Sequence, residues 1–90
     1  MAERPSRSRL SRRATLPRYF FHVRDSAEII DKVGTELANP DQARAQAVKA
    51  SGEMLRDLRG NFWNSGEWRM WVTDESGATV CALRFSADNA

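Results

Sequence analysis

The chain contains one cysteine and one histidine, and each scarcity excludes chemistry. Cys81 has no second thiol to meet, so no disulfide closes within the chain, in keeping with a reducing compartment. With no Cys-x-x-Cys and no second histidine, zinc sites built from Cys and His are excluded. Neither G-x-x-x-x-G-K-S/T nor G-x-G-x-x-G occurs, so the familiar phosphate cradles are absent. The longest uncharged, mainly apolar run, ATVCAL at 78–83, is far too short to span a bilayer. SRRATL at 11–16 superficially looks like a twin-arginine export signal. It is followed by Arg18, Arg24 and Asp25 where an apolar stretch would be needed, so a cytoplasmic protein is expected.

What is present divides unevenly. Residues 1–17, MAERPSRSRLSRRATLP, carry Arg4, Arg7, Arg9, Arg12 and Arg13 against Glu3 alone, with little to bury. Such a segment is expected to be disordered. Every aromatic residue lies after it, so residues 18–90 are read as one small domain, near the lower size limit for an unstapled core. Dense aromatic packing or a partner chain must supply the remainder. The excess of basic residues belongs to the tail. A basic arm on a near-neutral domain fits nucleic acid or an acidic partner, although a solvated extension is the plainer reading.

RYFFHVR at 18–24 has the aromatic and β-branched density of a strand. Alternation sends Tyr19, Phe21 and Val23 to one face and Arg18, Phe20, His22 and Arg24 to the other. Asp25-Ser26 reads as a turn, Glu28–Asp31 as a short returning strand, and Lys32-Val33-Gly34 as a second turn, with positive φ at Gly34. Residues 38–60 read as a helix: Asn39 caps it, Pro40 opens it, Gln42 stands at the capping-box position and Gly60 stops it. Its apolar stripe is Ala43, Ala47, Val48, Ser51, Met54, Leu55 and Leu58. Phe62 and Trp63 are expected to plug the core from a loop. EWRMWVTD and ATVCALRF then form a hairpin around Glu75-Ser76-Gly77.

The order β-β-α-β-β predicts an α+β fold, an antiparallel sheet of about four strands with one long helix packed on one face. One helix covers one face only. The other is expected to show Phe20, His22, Arg69, Trp71 and Arg84, with Val80 among them, as a mixed aromatic and basic surface. Trp68 and Trp71 point to opposite faces, so one belongs to the core, and Trp71 beside Arg69 is the candidate for stacking.

His22 has two readings. It can serve as a general base oriented by Asp25 or Asp31, or as a half-covered, hydrogen-bonded strand residue; the second is preferred, since a lone histidine needs a mapped partner. Asp25, Glu28, Asp31 and Glu36 cluster near the first hairpin without EF-hand spacing, so they read as solvated turn carboxylates and no metal site is expected. Cys81 reads as a small buried hydrophobe. No serine shows the context of a nucleophile elbow. No catalytic residue and no cofactor is assigned.

PRYFFHVRD, Gly34-Thr35-Glu36-Leu37, the alanine-rich helix, a W-x-x-x-V-T-D-E-x-G hairpin and a last strand ending at Phe85 together resemble a family of very small uncharacterised proteins of rhizobia-like alphaproteobacteria. The family is a domain of unknown function whose members begin near a Met-Pro-Arg-Tyr-Phe-Phe-His equivalent. The resemblance covers about Pro17 to Phe85, implies no activity, substrate or cofactor, and leaves the arginine-rich tail outside the shared domain. Leu16 stands where members have their initiator Met, so the tail is compatible with an upstream start choice.

The expected function is a non-catalytic interaction or regulatory module that self-associates, as a homodimer, or binds a protein partner. The alternative is nucleic-acid binding, with the tail arginines on phosphates and Phe20, Arg69 and Trp71 as a stacking platform.

Overall fold

The computed structural model describes residues 16–58 and 66–88. The tail arginines, the helix stop at Gly60 and the plugs Phe62 and Trp63 lie outside the described residues. Strand β1 (Arg18–Arg24) is followed by two very short strands, β2 (Glu28–Ile29) and β3 (Thr35–Glu36). Helix α1 (Pro40–Leu58) and strands β4 (Glu67–Thr73) and β5 (Thr79–Ser86) complete the order. All strands pair antiparallel in the order β2-β1-β4-β5, and β3 also lies on β1. This is the expected α+β fold, with one helix and one more strand than the sequence pattern suggested.

The additional strand comes from a break in the returning edge. β2 pairs with the end of β1 (Val23 with Ile29) and β3 with its start (Tyr19 with Thr35). Between them the chain loops out through the expected turn, where Gly34 adopts φ 78°. A Cβ there would sit 2.7 Å from Arg18 Cγ and 2.8 Å from a Phe20 ring carbon, so both the backbone and the space require glycine.

Asn39 caps α1 as expected: its Oδ1 accepts the Gln42 N–H at 2.9 Å. The Gln42 side chain reaches one residue further back than a capping box does, accepting the Ala38 N–H at 3.0 Å. Ala43, Ala47 and Ser51 are the buried stripe of α1, and the helix lies over β4 and β5. These small residues bring the helix close to Trp68, Met70 and Val72, each almost fully buried, with Tyr19 and Val23 beside them. Burial of each large apolar side chain contributes about 1.5–3 kcal/mol. The Ser51 hydroxyl donates to the Met70 sulfur at 3.5 Å, so it is not left unpaired in the core.

Three expectations are corrected. Val48 and Met54, read into the apolar stripe, are exposed, because the helix faces the sheet through its Ala43–Ala47–Ser51 line and Val48 sits on its flank. Phe85 meets Trp68 edge-on at 5.9 Å between ring centroids and is more than a third exposed. Val80, read onto the open face, packs against the core instead. The β4–β5 ladder pairs Val72 with Cys81 but Thr73 with Thr79, leaving Val80 as the extra residue of a bulge.

Candidate functional site

Strand parity and register determine the helix-free face. β1 contributes Arg18, Phe20, His22 and Arg24, and β4 contributes Glu67, Arg69, Trp71 and Thr73. The ladder sets His22 opposite Trp71, Arg69 between Arg24 and Arg84, and Trp71 opposite Ala82. Phe20, His22, Arg69, Trp71 and Arg84 therefore stand on one face. Arg84 is exposed, Phe20, Arg69 and Trp71 are half-buried, and His22 is 7% exposed.

A row of rings and one guanidinium crosses the middle. The His22 and Trp71 ring centroids lie 5.2 Å apart, and the Arg69 guanidinium carbon lies 5.4 Å from the Trp71 ring. The other arginines of the face are paired. Arg18 meets Glu36 at 3.0 Å and donates to the Val33 carbonyl at 2.9 Å. Arg24 lies 4.0 Å from Glu28, and Arg84 lies 3.3 Å from Glu67. Such exposed pairs stabilise little, about 0–1 kcal/mol each, but they cancel the field of the face. Among the described residues no carboxylate pairs with Arg69. It lines, with Arg24, Asp25 and Glu67, an open depression of about 310 Å³ at one end of the face.

Hydrogen bonding occupies both nitrogens of His22. The backbone N–H of Asp31 donates to Nδ1 at 3.1 Å, which leaves the ring proton on Nε2, 2.9 Å from Thr73 Oγ1. Among the described residues no carboxylate orients the ring, so the arrangement is not that of a base held by an acid. The Asp31 carboxylate is used elsewhere: Oδ2 accepts the Phe21 N–H at 3.1 Å, and Oδ1 accepts those of Val33 and Gly34 at 3.0 and 3.1 Å. Burial works to raise the Asp31 pKa, but the three N–H bonds together, with His22 helping slightly, hold it below the usual carboxylate value.

The remaining acids of that cluster are also separately engaged. Asp25 accepts the Ala27 N–H at 3.3 Å, and Glu28 and Glu36 face Arg24 and Arg18. Among the described residues no three potential metal ligands converge. Burial pushes the Cys81 thiol up, with Arg44 pulling weakly the other way, which is the opposite of what a reactive thiolate needs. Among the described residues no helix is long and apolar enough to cross a membrane.

Sequence reasoning missed Thr73 and Glu67, whose strand parity placed them on this face but whose partners, His22 and Arg84, are set by register. Neither a curated protein nor a solved structure matches this chain. A family model does match, over residues 18–86, from the first residue of β1 to the last of β5. The match covers most of the chain and leaves the arginine-rich segment outside. The chain belongs to the family described as a domain of unknown function, DUF6894.

Proposed function

We propose that the domain is a non-catalytic interaction module of the bacterial cytoplasm, and that its helix-free face binds a protein partner. One observation carries this reading. Trp71, overlain by Arg69 and flanked by His22 and Phe20, forms a half-exposed aromatic patch ringed by arginine–glutamate pairs. An aromatic and arginine centre with a polar rim is the composition of a protein-binding hot spot. The depression beside Arg69 offers a seat for a polar or acidic side chain of the partner.

The nucleic-acid reading draws less support from this face. Three of its four arginines are already matched by carboxylates, and phosphate binding depends on unneutralised cations. It would rest on the tail arginines.

The full chain and a Trp71→Ala/Arg69→Ala variant, immobilised and exposed to native extract, separate these readings. A protein retained by the wild type and lost by the variant, but kept by Lys49→Ala on the helix, supports the face. Equal retention by all three removes it. In parallel, binding to labelled single-stranded RNA that is unaffected by the face variant, collapses with salt and depends on residues 1–17 would transfer function to the tail.

A further inference from the structure

The free edge of the sheet, rather than its face, supports a second and independent conclusion. The phase of the hydrogen-bond ladder shows which way each backbone group of β5 points. Phe21 sends its N–H away from β4 to Asp31, so the even residues of β1 are those bonded to β4. Residues 69, 71 and 73 of β4 therefore face β1, and 68, 70 and 72 face β5. Opposite them Cys81, Leu83 and Phe85 bond inward, in phase with the Ala87 N–H, which reaches the Gly66 carbonyl at 3.1 Å. The N–H and C=O groups of Ala82 and Arg84 point out of the sheet, and among the described residues no strand meets them.

Apart from the bulge at Val80, this edge carries little of the usual protection. β5 is eight residues long, has no proline and carries one charge, Arg84. The helix flank above it is equally unexplained. Arg44 lies close enough to influence Cys81, which puts the Arg44 side of α1 over β5. Val48, one turn further on the same side, is 62% exposed. Gly52, the next turn, has nothing among the described residues within 4 Å of where a Cβ would stand. A glycine inside a helix costs about 0.5–1 kcal/mol relative to alanine, and no neighbour among the described residues accounts for it.

We propose that β5 pairs antiparallel with β5 of a second copy of this chain, about a two-fold axis at Leu83. An antiparallel edge is self-complementary, since each outward N–H meets a C=O of the copy. In this register Ala82 stands opposite the partner's Arg84 and Leu83 opposite the partner's Leu83, so the two arginines never face each other. Since α1 lies over β4 and β5, the two helix axes would run about 10 Å apart, twice the strand spacing and near the distance at which helices pack. Val48 and Gly52 occupy that seam, the valine filling it and the glycine permitting the approach. Both helix-free faces then merge into one surface, with the two Trp71 positions about 16 Å apart, three strand spacings across and two residues along the strands. The module becomes bivalent.

Sedimentation equilibrium of the full chain at micromolar concentration tests this, with hydrogen exchange read residue by residue. The expected result is twice the 10.2 kDa chain mass, with the amides of Ala82 and Arg84 slowed in proportion to the dimer fraction. Val48→Glu changes an exposed side chain and should give a folded monomer by circular dichroism. Ala82→Pro removes only an outward donor and should do the same, while Lys49→Glu on another side of the helix keeps the dimer. Trp71→Ala should also keep it, which separates this inference from the fate of the face. A monomeric wild type, a dimer indifferent to Val48→Glu and Ala82→Pro, or slow Ala82 and Arg84 amides in a monomer (an edge covered by another segment) would each overturn the proposal.

Discussion

At one edge of the sheet the outward residues of β1 are met by two short strands and a carboxylate; at the other, the outward backbone of β5 meets no described strand. Tyr19 and Val23 pair with residues of β3 and β2, and between those short strands the Asp31 carboxylate takes up the Phe21 N–H. The β1 edge is thus broken, plugged and flanked by charge, which are the devices that prevent edge-to-edge association. β5 keeps eight residues with one bulge, at Val80, and one arginine. Had both edges been left open, the sheet could extend in two directions and form fibres; one closed edge limits growth to a closed pair. The difference teaches that a side chain in a loop, Asp31, decides where this sheet ends.

The largest expected effect comes from the closed edge. Gly34→Val should destabilise the domain by about 3 kcal/mol or more, since the residue has positive φ and no room for a Cβ. Urea unfolding measures it, and a loss below about 1 kcal/mol would mean that the loop relocates without strain.

Asp31→Asn comes next. An amide offers one oxygen where the carboxylate offers two, so the Phe21 donor or the pair from Val33 and Gly34 loses its acceptor. The expected cost is about 1–3 kcal/mol. The sign of the pH dependence follows from the lowered folded-state pKa. The stabilisation is present above the ordinary aspartate value and is lost as pH falls through the folded-state value. The acid limb of a stability–pH profile should therefore be shallower in Asp31→Asn than in the wild type.

A smaller effect concerns His22. Thr73→Val removes the acceptor of the Nε2 proton and should cost about 1 kcal/mol. Nitrogen chemical shifts of the wild type should show the proton on Nε2 and an unprotonated Nδ1. The opposite tautomer would break the description of how Asp31 and His22 tie the edge to the face.

The smallest prediction sharpens the comparison from the open side. Gly52→Ala should stabilise an isolated chain by about 0.5–1 kcal/mol, because no described residue fills the space beside it. The same change should weaken the self-association proposed through β5. A variant that stabilises at every concentration would show that no second helix approaches there.

Much of this architecture was legible in the residues themselves. The two faces of β1 and β4 follow from alternation alone, and Trp68 and Trp71 divided between core and surface as parity required. Val80 was misplaced because a bulge is one residue of slip, which alternation cannot register. Val48 was misplaced because a helix period marks an apolar arc, while the contact with the sheet selects a narrower line within it. Asp31 read as a solvated turn acid because its partner, Phe21, lies ten residues away.

Sequence by itself determined the elements and their faces: the Asn39 cap, the apolar arc of the helix, the turns at Gly34 and Gly77, and the strand parity. Those are local or periodic properties, set by steric preference and by the geometry of one strand or one helix. Only the tertiary structure decided which charges meet and which backbone groups are left over. Arg18 finds Glu36, Arg84 finds Glu67, His22 finds Thr73 and the backbone of Asp31, and β5 keeps an edge that no described strand meets. These outcomes depend on register between segments as far as 51 residues apart, where one residue of slip exchanges every partner.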